Sequence, residues 1–105
     1  MLTSKYDLIV AIVNKDSGST VVEAAKSAGA PGATLITGRG SGTQDVLMLF
    51  EIPLQPEKDI VLSVVPDDVS QDIMAAMVKS ANIEKPGAGI AFIVPIKSIA
   101  GIPKE

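Results

Sequence analysis

A chain of 105 residues with 47% apolar residues, a formal net charge of −3 and neither cysteine nor histidine leaves several functions out. No basic patch is present to neutralise a run of phosphates, which argues against a general nucleic-acid binder. Without imidazole or thiol, imidazole base catalysis, thiolate chemistry, disulfides and ordinary zinc sites are excluded as well.

The length suits a single domain, 1–105, whose core buries about two-thirds of the surface exposed by the unfolded chain. With one Tyr, two Phe and no Trp, that core is aliphatic. Residues 6–13 contain Leu8-Ile9-Val10-Ala11-Ile12-Val13, an apolar run too short for an ordinary helix. It reads as a strand buried on both faces or at a subunit contact. Asn14-Lys15-Asp16-Ser17-Gly18 is a turn by composition. Thr20 and Glu23 then have capping-box spacing for a helix that carries Val21, Val22, Ala25 and Ala28 on one face and stops at Gly29. Residues 32–37 form the second strand.

Gly38-Arg39-Gly40-Ser41-Gly42, closing on Thr43-Gln44, follows that strand. Alternate glycines let backbone N–H groups approach a ligand or curl into an anion nest, and Arg39, the only arginine, can pair with a carboxylate or phosphate. The other reading is a Gly-rich turn that only links two elements. Neither nucleotide fingerprint is present, because the third glycine falls one residue early and no Gly-Lys-Ser/Thr follows. Residues 45–51 are apolar without a clear period, fitting either a segment packed over the sheet or an exposed lip for a partner. Pro53 and Pro56 end them.

Residues 60–65 form a third strand, stopped by Pro66. Asp67 and Asp68, with Gln71 following, suit a helix start better than a metal or acid–base pair. That helix runs to about residue 81 with Val69, Ile73, Met77 and Val78 inward, its methionines acting as core filler. A second glycine loop, Pro86-Gly87-Ala88-Gly89, precedes a fourth strand at 90–94, and residues 96–102 add a short edge segment. The order is βαββαβ, an α+β, ferredoxin-like arrangement with a four-stranded antiparallel sheet and two helices on one face. Strand residues of both parities are apolar, so the uncovered face is expected to be buried by oligomerisation.

Several segments together resemble the PII nitrogen-regulatory signalling proteins, in particular a divergent PII-like branch of them. They are Ala11-Ile12-Val13, Glu23-Ala24-Ala25, Gly29-Ala30-Pro31-Gly32-Ala33-Thr34, Arg39-Gly40-Ser41-Gly42-x-Gln44, Pro66-Asp67-Asp68 and Pro86-Gly87-Ala88-Gly89 through Phe92-Ile93-Val94-Pro95. The resemblance implies a homotrimer with its sheets lining a central core and small-molecule sites in the clefts between subunits. The contacts expected there are Thr34, Gly38, Arg39, Gly40, Ser41, Gly42 and Gln44 with Pro86, Gly87, Ala88 and Gly89. It also implies an adenine nucleotide or another anionic metabolite as ligand, and a regulated protein partner, an enzyme or a membrane transporter.

Departures from the family pattern bear on that ligand. The connection from Asp45 to Asp59 is short, apolar and without the modifiable tyrosine of the family loop. Ile90, Gly101 and Pro103 stand where the family carries cations, which removes most of the charge that would hold a triphosphate. The ATP site is thus degenerate, with Arg39 able to supply charge from a new direction. The expected function is a cytoplasmic, non-enzymatic sensor of a metabolite or nucleotide, in nitrogen regulation by the resemblance, with neither nucleic-acid binding nor membrane insertion. Two alternatives stand beside it. One is a trimeric assembly or metal-tolerance protein resembling the CutA family, against which the lack of His and Cys argues. The other is an enzyme using Asp16, Asp45, Lys15 or Lys85, for which no nucleophile–base spacing is evident.

Overall fold

A computed structural model describes residues 2–3, 5–38 and 58–101. The long apolar run is the central strand, β2 (Tyr6–Asn14), preceded by a short β1 (Leu2–Thr3). It leads into α1 (Gly18–Ser27) and β3 (Thr34–Gly38). The second half repeats the plan with β4 (Lys58–Pro66), α2 (Ser70–Ser80) and β5 (Gly89–Pro95), followed by β6 (Ser98–Ile99). The four long strands lie in the order β3-β4-β2-β5 and every neighbouring pair is antiparallel. This is the ferredoxin-like sheet expected from the alternation of apolar runs and amphipathic stretches.

Pleating sends alternate residues to opposite faces. Ile9, Ala11 and Val13 of β2 join Val61 and Val65 of β4 beneath the helices, where Val21, Ala25, Ile73 and Met77 close the core. On the other face, Val10, Ile12 and Ile60 form a second cluster with Leu8, Leu62, Ile90 and Phe92 around it. The expectation of two apolar faces holds, with one refinement. Ile12 is 1% exposed and Val10 and Ile60 8% within one chain, so the apolar area left open is the half-buried rim rather than the centre.

Both helix starts differ from the sequence expectation. The box expected at Thr20 and Glu23 is not formed: α1 begins at Gly18, with Ser17 in the cap position and making no side-chain cap bond. Likewise α2 begins at Ser70 after Val69, so Asp67 and Asp68 lie ahead of the cap. A strand aspartate meets each helix start, capping a backbone N–H at α1 and taking a side-chain hydroxyl at α2. The Gly18 N–H donates to Asp59 Oδ2 at 2.9 Å, and the Ser70 hydroxyl donates to Asp7 Oδ2 at 2.6 Å. At α1 a tertiary acceptor takes the place of a local cap, whereas at α2 the Ser70 hydroxyl keeps a local contact to Asp67 O at 3.2 Å as well. Ala28, expected to face inward, is exposed as the α1 cap residue. The segment expected at 96–102 contributes β6, which pairs with β1 rather than with the main sheet.

Two glycines shape the start of β5. Gly89 adopts φ +150, and a Cβ there would collide with the Ile12 carbonyl oxygen. Gly87 adopts φ +80 with open space around it. Gly87→Ala should therefore cost only the left-handed penalty of about 1–2 kcal/mol. Gly89→Ala should cost visibly more, because β5 must also shift away from β2. Urea unfolding midpoints of the two variants check this, and equal midpoints would contradict the close approach.

Candidate functional site

Antiparallel register brings one end of the sheet together. Gly38 pairs with Lys58, Lys58 with Asn14, and Gly89 with Val13. The end of β3, the start of β4, the end of β2 and the start of β5 therefore share an edge of the molecule, and the 14–18 turn and the 86–89 loop flank it. Of the sequence-expected contacts, Gly38, Pro86, Gly87, Ala88 and Gly89 are placed at this end. Arg39, Gly40, Ser41, Gly42 and Gln44 lie outside the described residues, as does the apolar 45–57 stretch. Thr34 is on exposed β3 opposite Leu62, about 13 Å along the strand from Gly38.

Within one chain the two glycine segments are not in contact. Gly38 lies at the β3 edge and Gly89 at the β5 edge, with two strands between them, a span of roughly 14 Å. Pro86 and Gly87 are exposed, whereas Ala88 and Gly89 are half-buried. The loop is a pair of successive turns: Lys85 N–H donates to Asn82 O at 3.0 Å, and Ala88 N–H to Lys85 O at 3.1 Å. The Ala88 N–H is thereby committed to the turn.

The polar side chains that do meet at this end are ones sequence reasoning passed over. Lys58 is 5% exposed and its Nζ donates to Asn14 Oδ1 at 2.8 Å. Asp59 is 2% exposed; Oδ2 takes the Gly18 N–H, and Oδ1 has no partner among the described residues. Alternation along β4 puts Lys58 on the face of Ile60 and Asp59 on the face of Val61, beneath α1. The carboxylate is thus held against the positive end of the α1 dipole, a favourable position for buried negative charge. On the opposite face the ammonium donates to a neutral amide, its partner among the described residues. The available signal was a Lys-Asp pair directly ahead of an apolar strand, but its meaning depends on register with the 14–18 turn.

Gly18 closes this arrangement. A Cβ on it would lie 2.7 Å from Asp59 Cβ and Oδ2 and would strike Leu35. Among the described residues, no group of three or more His, Cys, Asp or Glu is placed to hold a metal ion. Nor is any described helix long and apolar enough to cross a membrane.

Two solved structures share the fold. One is the PII of Arabidopsis thaliana bound to citrate, 21% identical, covering 94% of this chain and 82% of that one with a TM-score of 0.69. The other, described as a PII-like signalling protein of Thermus thermophilus, is 19% identical, covers 84% of this chain and 82% of that one, and has a TM-score of 0.58. The family model for nitrogen regulatory protein P-II matches residues 6–105. With that match across nearly the whole sequence and the βαββαβ sheet in place, the chain belongs to the P-II family of signalling proteins.

Proposed function

We propose that this P-II protein is a cytoplasmic homotrimer that senses an anionic or amide-bearing metabolite in clefts between its subunits and, without catalysing a reaction, passes the result to a protein partner. The observation that carries this reading is the gathering of Gly38, the buried Lys58 and the 86–89 loop at one end of the sheet, with Gly38 and the loop at its two opposite edges. Edges roughly 14 Å apart within a chain can meet when copies stand side by side, giving a cleft lined by Gly38 of one copy and Gly87 and Gly89 of the next. The half-buried Leu8, Leu62, Ile90 and Phe92, with Leu35, Ile36 and Val94 at least 40% exposed, supply the apolar contact area for such an assembly.

The ligand reading follows from charge. Lys58, Arg39 and the Gln44 amide suit a carboxylate or phosphate. Neutral Ile90 and Gly101 withhold the further cations that would hold a triphosphate. Citrate, the ligand of the Arabidopsis relative, is a suitable carboxylate probe. The regulated partner in this proposal is an enzyme or a transporter, and the whole chain forms one domain.

Sedimentation equilibrium at micromolar concentration should return a homotrimer, and a stable monomer would overturn the assembly. In calorimetric titrations, ATP is expected to bind weakly or not at all. For an anion that binds in the cleft, Arg39→Ala and Gln44→Ala should each weaken affinity by about 1–3 kcal/mol while the trimer and its melting temperature stay nearly unchanged. Lost folding with affinity intact would make the glycine turn structural.

A further inference from the structure

We propose that Asp59 is a positioning residue for this end of the sheet: by capping α1 it holds the 14–18 turn, and that turn holds the Asn14 amide against the Lys58 ammonium. Its functional meaning rests on the sensor reading above, but the arrangement itself stands on the chain alone.

Lys58 and Asp59 are adjacent at the start of β4 and point to opposite faces, yet both grip the same turn. Lys58 holds the strand end that opens it, since Asn14, the last residue of β2 and the ladder partner of Lys58, also accepts the ammonium through its side chain at 2.8 Å. Asp59 holds its last residue through the Gly18 N–H, at 2.9 Å. Between these points the Ser17 N–H donates to Asn14 O at 3.0 Å, so the turn is one hydrogen-bonded unit, continued into α1 by Val21 N–H donating to Ser17 O at 3.2 Å. Ser17 supplies no side-chain cap, which leaves the cap to a residue 41 positions away from Gly18 in sequence. The absence of a Cβ at Gly18 is what lets the carboxylate reach the backbone.

Without that carboxylate, a buried N–H loses its acceptor and the turn loses one of its two fixed ends. The Asn14 side chain is then no longer aimed, and the Lys58 amine is released from cover. Ser63 provides a contrast on the same strand. It is 2% exposed and its hydroxyl donates to Gly32 O at 2.7 Å, so Ser63→Ala removes a buried hydrogen bond from β4 without touching the turn.

The test is pulse labelling of lysine amines in the full-length protein by reductive methylation, read by mass spectrometry with exposed Lys79 as internal reference. Asp59→Ala and Asn14→Ala should raise Lys58 labelling about fivefold to tenfold, the equilibrium equivalent of one lost hydrogen bond. Asp59→Asn, whose amide oxygen still accepts the Gly18 N–H, should stay near wild type, and so should Ser63→Ala. If Asp59→Ala fails to fold, Asp59→Ser must show the same rise. An unchanged Lys58 in the folded Asp59 variants, or an equal rise in Ser63→Ala, would overturn the proposal by showing no coupling or only general loosening. Because no cleft ligand enters the measurement, its failure is distinct from failure of the sensor reading.

Discussion

Strand β2 must satisfy neighbours on four sides at once. It is hydrogen-bonded along its length to β4 on one edge and to β5 on the other, and it carries apolar side chains on both faces. Much of the remaining architecture follows from that demand. Both helices cover the Ile9, Ala11 and Val13 face, because right-handed crossovers from β2 to β3 and from β4 to β5 bring them to the same side. The Val10 and Ile12 face is left with a second cluster whose rim, not its centre, is open for association.

The same antiparallel pairing decides where chemistry can collect. When β2 ends at Asn14, β4 is beginning and β3 is ending, so every connection at that end leaves from one edge of the molecule. Charged residues at a strand start would ordinarily be solvated, yet Lys58 and Asp59 are both buried there. Removing such groups from water costs several kcal/mol unless they are paired or hydrogen-bonded. Here each has a partner in the 14–18 turn, one a side-chain amide and the other a helix N-terminal N–H. At the opposite end, Asp7 accepts the Ser70 side-chain hydroxyl rather than a helix N–H. Both helices are thus tied at their starts to the sheet, α2 also to its own flanking Asp67 carbonyl.

Membership of the P-II family and the local chemistry bear on different questions. The family match accounts for the chain's order of elements and for signalling as its class of function. In the sensor reading proposed above, the polar groups at the sheet end and the apolar Ile90 near the start of β5 would select the ligand. A signalling family can keep one scaffold and change its effector by exchanging such groups, because the strands that carry them are held by apolar packing on both sides.

Sequence alone determined the element order, the aliphatic two-faced strand at 6–13, the α+β class and the family. Each depends on local periodicity, composition or residue order, which survive without knowledge of contacts. The two glycine segments were also legible as unusual, and Gly87 and Gly89 do take positive φ. Their separation across two strands was not, because strand order is a long-range property. The caps were misplaced for the same reason. Thr20 with Glu23 has the right spacing, but Asp59 reaches the α1 start only after β4 pairs with β2, and Asp7 meets Ser70 only once α2 docks. Lys58 and Asp59 looked like ordinary flanking charges until register set one beside Asn14 and the other beneath Gly18. Tertiary structure decided these positions because a hydrogen bond between residues 41 or 44 apart leaves no trace in local spacing.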